Sequence, residues 1–245
     1  MAEMSAYVSG DVCEVTNSTV DHGESGPSSK DFVIYVRPSK YAASLALPKL
    51  LEDEAIWKPV ENLISTRGIE GALRTAPLRS LFVALTLSTP TGEVLKTRRS
   101  TATASSRGIW SLGVCETMNS LSDQPGHPAE DLFALARRAA REELGLHGED
   151  IGPIWYTWYG FGRTHGQFVV AHTSTSLPQA VVEQKAREAE AGWESDAFQW
   201  IALDSAEMRR ISTLDRHAGW LDLTPLAARG LLAVHDVLTR EPTRY

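Results

Sequence analysis

The chain has 245 residues, 42% of them hydrophobic and 22% charged, so it can bury the core of one large domain or of one domain with an extension. Its net charge of −7 argues against a surface for nucleic-acid polymers or anionic membranes, because both need clustered Lys and Arg. Two cysteines are too few for a disulfide framework, and the N-terminus lacks a basic start followed by an apolar run. We therefore expect a cytoplasmic protein without a membrane segment.

The N-terminal third of the chain predicts an extension. Residues 1–30 are rich in Ser, Gly, Thr and acidic residues, which bury little apolar area, so we predict a flexible tail there. Residues 31–77 predict a strand at 32–36 and then a helical pattern broken by prolines and a glycine. The main domain is predicted to occupy residues 78–245.

Strand and helix signals alternate along this main domain. Alternating apolar residues predict a hairpin over Leu78 to Arg99 with its turn at 89–92, and a strand over 108–116 follows. A helix is predicted over 130–146. After it the pattern predicts strands at 153–162 and 168–173 and a polar helix at 181–193. A strand at 196–203 and a closing helix at 223–240 complete the domain.

The predicted helix over 130–146 reads EDLFALARRAAREELGL, and its residues are mostly strong helix formers. Apolar residues recur at spacings of three and four, so they form one buried face. Arg138, Arg141 and Glu142 then fall on a different, polar face, and we expect Glu143 on the polar face as well. Gly145 follows the last apolar turn, where a residue with positive φ usually ends a helix.

This stretch resembles the Nudix box, in which a Glu precedes an Arg by eight positions and a Glu-Glu-x-Gly-aliphatic run follows. Glu130 stands eight positions before Arg138. Glu142, Glu143 and Gly145 then fall on the pattern, with an aliphatic residue directly after the glycine.

Two positions depart from the box. The Glu expected directly after Arg138 is Ala139. The Gly expected six residues before Glu130 is absent, and the nearest equivalent, Gly113, lies 17 residues before it, which lengthens the loop by 11 residues.

The resemblance implies a Nudix-type α/β/α sandwich with a mixed β-sheet, here with an N-terminal extension. It also implies metal-dependent hydrolysis of a diphosphate linkage in a nucleotide-type small molecule. The cofactor would be Mg²⁺ or Mn²⁺, since such ions held by carboxylates neutralise the charge that builds on phosphoryl oxygens. Adjacent glutamates point about 100° apart on a helix, so Glu142 and Glu143 can bind one ion directly and ligate a second ion or hold a water.

The expected site residues follow from this resemblance. Glu116 is the best replacement for the missing carboxylate, because a charge directly after Val114 and Cys115 is costly to bury without a cation or a donor. Glu194, with Glu190 as second choice, is expected to complete the metal site, and Glu130 is expected to pair with Arg138. We expect Glu142, Glu143 and Glu116 to be catalytic. The expected metal ligands are Glu142, Glu143 and Glu194, and the expected substrate-binding residues are Arg163, Trp158 and Arg99.

Two alternatives compete with this interpretation. Loss of the carboxylate at Ala139 and the longer loop fit a catalytically altered Nudix-like domain that binds or senses a nucleotide. Cys115 also gives a weaker resemblance to the isopentenyl-diphosphate isomerase branch, but Glu116 and Thr117 stand where that branch has Gly-His. The sequence leaves a homodimer open.

Overall fold

The structure is a computed structural model. The residues it describes are 11–22, 30–40, 54–55, 58–59, 62, 65–66, 81–103, 106–118, 130–162, 166–213 and 224–240. The chain divides into two compact units, one of residues 1–82, 117–130 and 161–167, the other of residues 83–116, 131–160 and 168–245. The predicted boundaries after residues 30 and 77 stay predictions.

The first unit contains a long antiparallel hairpin. Strand β1 (Asp11–His22) pairs with β2 (Lys30–Lys40), with an irregularity in register between Val15 and Asn17. The predicted strand at 32–36 is confirmed and is longer than expected. The predicted tail is wrong for Asp11–His22, where several Val and Thr residues favour extended backbone and β2 supplies a hydrogen-bonding partner. Most of the helical pattern expected over 44–74 lies outside the described residues.

Seven strands form the larger sheet. They are β3 (Leu81–Ser88), β4 (Glu93–Arg99), β5 (Trp110–Leu112), β6 (Val114–Thr117), β7 (Trp155–Gly162), β8 (Gly166–Ser174) and β9 (Ser195–Ala202). Their order is β5-β4-β3-β8-β7, with β6 also pairing with β3 and β9 with β4. The hairpin, its turn and the later strands are therefore confirmed. Every residue of β3 is buried, as expected for a strand covered on both faces.

In the part of the chain that the structure describes, the helices with defined bounds are α1 (Leu132–Leu144), α2 (Gln179–Glu188), α3 (Ala206–Ser212) and α4 (Thr224–Arg240). The predicted helices are confirmed, although α2 ends earlier than expected. Helix α3 was not predicted, because seven residues are too few to show a helical period. Among the described residues, no helix combines the length and apolarity needed to cross a membrane.

The helices cover both faces of the sheet. On β9, Trp200 Nε1 donates to Glu183 of α2 at 3.2 Å. On β4, Lys96 Nζ donates to Glu207 of α3 at 2.9 Å. Trp200 pairs with Leu95, whose side chain points away from that of its neighbour Lys96, so α2 and α3 lie on opposite faces. Helix α1 packs beside α2 and α4 beside α3. The predicted α/β/α sandwich with a mixed sheet is confirmed.

Gly113 turns the chain from β5, which pairs with β4, into β6, which pairs with β3. Its φ is +75°, and a Cβ added there would lie 1.9 Å from the backbone oxygen of Leu85. Its N–H donates to the carbonyl of Leu95 at 2.9 Å, and its own carbonyl accepts from the hydroxyl of Thr97. No other residue type fits both this conformation and this close approach.

We expect Gly113→Ala to lower the free energy of unfolding by more than about 3 kcal/mol, because backbone must shift to admit the methyl group. The matched control is Gly92→Ala, since Gly92 also has a positive φ, +86°, but a Cβ added there would meet nothing within 4 Å. That variant should lose only about 1–2 kcal/mol from its backbone conformation. Urea unfolding measures both losses, and equal values would contradict the close packing around Gly113.

Candidate active site

Helix α1 has well-defined ends. The Asp131 side chain accepts from the N–H of Ala134 at 2.7 Å and caps the N-terminus. Gly145 ends the helix at φ +63°, and the N–H of Leu146 donates to the carbonyl of Ala140 at 3.0 Å. The helix and its glycine stop are as predicted. These caps fix the position along the helix axis of the acidic residues in its last turn.

Glu143 lies on the buried side of α1, so its predicted place on the polar face is wrong. It is 4% exposed, and Ala139, one helical turn earlier, is fully buried. Residues four apart share a helix face, which is why Glu143 follows Ala139 into the interior. Within the described part of the chain its Oε1 is buried and has no hydrogen-bond partner. We call this atom the open oxygen.

Burial raises the pKa of Glu143 well above its ordinary value, and the charges of Glu194 and Glu116 raise it further. Arg99 and a backbone hydrogen bond from Cys115 act in the opposite direction. The carboxylate therefore stands close to two other carboxylates and to one guanidinium. We refer to Glu116, Glu142, Glu143 and Glu194 as the glutamate cluster.

Arg138 joins two members of the cluster. Its Nη1 lies 3.0 Å from Glu116 Oε1 on β6 and 3.2 Å from Glu142 Oε2 on α1. Its side chain is 13% exposed. Burial raises the pKa of Glu116, while Arg138 opposes that shift. The predicted partner of Arg138 was Glu130, and that pairing stays a prediction.

Arg99 holds the fourth glutamate. Its Nη2 lies 3.0 Å from Glu194 Oε2, and the two side chains are 18% and 24% exposed. The carbonyl of Glu194 also accepts from the N–H of Ser100 at 2.7 Å. Glu194, rather than the exposed Glu190, therefore lies with the predicted metal ligands. Arg99 was predicted to bind substrate, and its contact in this structure is with Glu194.

Of the other two predicted substrate residues, the structure describes one. Trp158 is on β7 and is 43% exposed. By strand alternation it shares a face with Tyr156, whose ring meets Phe133 of α1 edge-on at 5.1 Å. Arg163 lies outside the described residues.

Cys115 does not support the isomerase interpretation. Burial, and then the charge of Glu143, raise the pKa of its thiol to about 12. The thiol is therefore protonated at neutral pH and is a poor proton acceptor.

The donor chemistry of the cluster fits a hard divalent cation. Carboxylate oxygens are the ligands that Mg²⁺ and Mn²⁺ prefer, and the open oxygen of Glu143 is available as a ligand. Among the described residues, however, no three His, Cys, Asp or Glu side chains are already grouped as a metal site. In this arrangement the cations beside the cluster are arginines, because Arg138 contacts Glu116 and Arg99 contacts Glu194.

In chelator-treated protein we expect Glu143 to make stability depend on pH. Its folded pKa lies above the ordinary 4.5, so its contribution is fully present below pH 4.5 and is lost as pH rises through the folded pKa. The melting temperature of wild type relative to Glu143→Gln should fall from pH 4.5 upward, because the amide does not titrate. A difference that stays constant with pH would contradict the buried carboxylate.

The chain is similar in structure to several solved proteins. Protein DR0079 from Deinococcus radiodurans is 18% identical, with 62% of this chain and 82% of that one covered and a TM-score of 0.44. A MutT protein from Methanosarcina mazei Go1 is 18% identical, with 66% and 96% covered and a TM-score of 0.40. A mutT/nudix family protein from Listeria innocua is 15% identical, with 66% and 98% covered and a TM-score of 0.42.

No protein-family model and no curated protein matches the sequence. One of the three solved proteins is described as a mutT/nudix family protein and another as a MutT protein. Since the identities are below 20% and the TM-scores below 0.5, function is inferred from the site alone.

Proposed function

We propose that this chain uses a divalent cation, Mg²⁺ or Mn²⁺, to hydrolyse a diphosphate linkage in a nucleotide-type substrate. The observation that carries the proposal is the open oxygen of Glu143, on a carboxylate that is 4% exposed and near Glu116 and Glu194. Burying a carboxylate that has one oxygen without a hydrogen-bond partner is costly, and such groups are retained where they bind an ion or do chemistry.

The charges around the cluster support a cation. Within the described residues, four carboxylates are set against the largely buried guanidiniums of Arg99 and Arg138, and the exposed Arg141 contacts Glu142. Negative charge therefore exceeds positive charge while the carboxylates are ionised. A bound divalent ion would restore the balance, and with substrate present it would neutralise charge on phosphoryl oxygens and orient water. Glu143, Glu194 and Glu116 are the residues we propose to hold it, with Glu142 beside them.

Glu116 is proposed to replace the carboxylate that is missing at Ala139. Arg138 fixes its orientation from α1, and burial raises its pKa, which makes the carboxylate a better proton acceptor. Arg138 is then a positioning residue. Trp158 and Arg163 remain proposals for the substrate, because an exposed indole can stack on a base and a guanidinium can bind phosphate.

A second candidate function is binding without turnover. It is favoured by Ala139, which is fully buried and has no carboxylate to offer. Such a domain would use the same cluster and cation to hold a nucleotide. Turnover separates this candidate from the hydrolase.

We expect wild type with Mg²⁺ to hydrolyse at least one member of a panel of nucleoside diphosphate sugars, dinucleotides and nucleoside triphosphates. Glu143→Gln keeps the shape of the side chain and removes its charge, so turnover should fall by at least about a hundredfold. Calorimetric titration with Mn²⁺ should show weakened ion binding in the same variant. The control is Glu149→Gln, an exposed residue just beyond α1, which should change neither quantity.

Equal Mn²⁺ affinity in wild type and Glu143→Gln would remove the metal-site assignment. If wild type binds Mn²⁺ and a nucleotide but turns over no member of the panel, the chain is the binding domain.

A further inference from the structure

We propose that Arg99 is a resident counter-ion of Glu194, and that a divalent cation binding to the cluster displaces it. The guanidinium that is released then becomes available to the phosphates of a substrate. This inference rests on the proposed metal site. With this exchange, Arg99 can contact Glu194 in the present structure and still bind the diphosphate of a substrate.

The ion pair between Arg99 and Glu194 does not use all the hydrogen-bond donors of the guanidinium, so a bound cation can replace Arg99 as the partner of Glu194. It consists of one described hydrogen bond, from Nη2 at 3.0 Å, whereas a saturated arginine pair is bidentate. Nε of Arg99 is buried without a hydrogen-bond partner in the part of the chain that the structure describes. The arginine therefore retains unused donor capacity in its present position.

Arg99 and Glu143 line the same small cavity, together with Cys115 and Ser111. The unpaired donor and the open oxygen thus lie at one place in the fold, between β4 and α1. The charge of Arg99 also lowers the pKa of Glu143. Arg99 accordingly occupies the electrostatic position that a metal ion bound by Glu143 and Glu194 would take.

The backbone around Glu194 is anchored independently of its side chain. The N–H of Ala191 donates to the carbonyl of Glu142 at 2.7 Å, and the N–H of Ser100 donates to the carbonyl of Glu194 at 2.7 Å. A Cβ on Gly192 would lie 2.2 Å from the carbonyl oxygen of Ala186, so the segment is closely packed. The carboxylate can therefore change partner by side-chain rotation while the backbone stays fixed to α1 and β4.

The exchange predicts that Arg99 and the ion compete. Arg99→Gln should bind Mn²⁺ about tenfold more tightly than wild type, the difference expected when an ion pair of about 1.4 kcal/mol no longer has to be broken. The matched control is Arg98→Gln. Arg98 is the neighbouring residue on β4 and pairs with Asp196 at 2.7 Å in a more exposed position, so its loss should leave the affinity unchanged.

A double-mutant cycle separates exchange from long-range charge. Mn²⁺ affinity is measured by the electron paramagnetic resonance signal of the free ion in wild type, Arg99→Gln, Glu194→Gln and the double variant. Exchange predicts that the gain from Arg99→Gln disappears once Glu194 is Gln. A gain that persists in the Glu194→Gln background, or equal affinities in wild type and Arg99→Gln, would overturn the inference.

If Arg99→Gln does not fold, a measurement on the wild-type protein can still test the exchange. The Nε resonance of Arg99 in a ¹⁵N-labelled sample should shift on addition of Mg²⁺, and an unchanged resonance at saturating Mg²⁺ would overturn the exchange. Failure of the wider proposal looks different. In that case neither wild type nor any variant binds Mn²⁺, whereas failure of the exchange alone leaves Mn²⁺ binding and turnover intact.

Discussion

A carboxylate buried at the end of a helix is the constraint on which this site depends. Glu143 is 4% exposed, and its neighbours include two further carboxylates. Such a group is stable only if it is protonated, hydrogen-bonded or paired with positive charge. Arg99 supplies part of that charge, and Arg138 pairs with the neighbouring Glu116. The proposed divalent ion and the proposed exchange of Arg99 both answer this same electrostatic demand.

The fold positions that carboxylate through a few close backbone contacts. Gly113 lets the turn between β5 and β6 pass tightly against β3, which puts Glu116 beside α1. Gly145 stops α1 where a side chain would meet the carbonyl of Lys185, at 2.7 Å from its Cβ position. The segment that carries Glu194 then binds the last turn of α1 through Ala191. These two glycines therefore allow the backbone segments around the site to approach closely, and this brings the charged side chains on those segments together.

Local periodicity was enough to predict α1, its glycine stop, the β3–β4 hairpin and most later elements. It failed at α3, which is too short to show a period, and at Asp11–His22, where polar composition concealed a strand. The box motif located Glu142 and Glu143, but the interpretation of the helix pattern placed Glu143 on the wrong face.

The ion pairs of the site were beyond sequence analysis for a different reason. The contact of Arg99 with Glu194 depends on the register of β4 against β9, and that of Arg138 with Glu116 depends on where β6 enters the sheet. In each of these ion pairs the two residues are far apart in the sequence. The available signal was weak: Arg99 ends a strand at the edge of the predicted loop, as residues near active sites often do.

The most direct test is a crystal of the protein grown with Mn²⁺ and measured for anomalous scattering. The account predicts a manganese peak within bonding distance of the Glu143 carboxylate and of at least one other member of the glutamate cluster, Glu116 or Glu194. Ordered manganese elsewhere, with Glu143 still buried and without an ion, would contradict it.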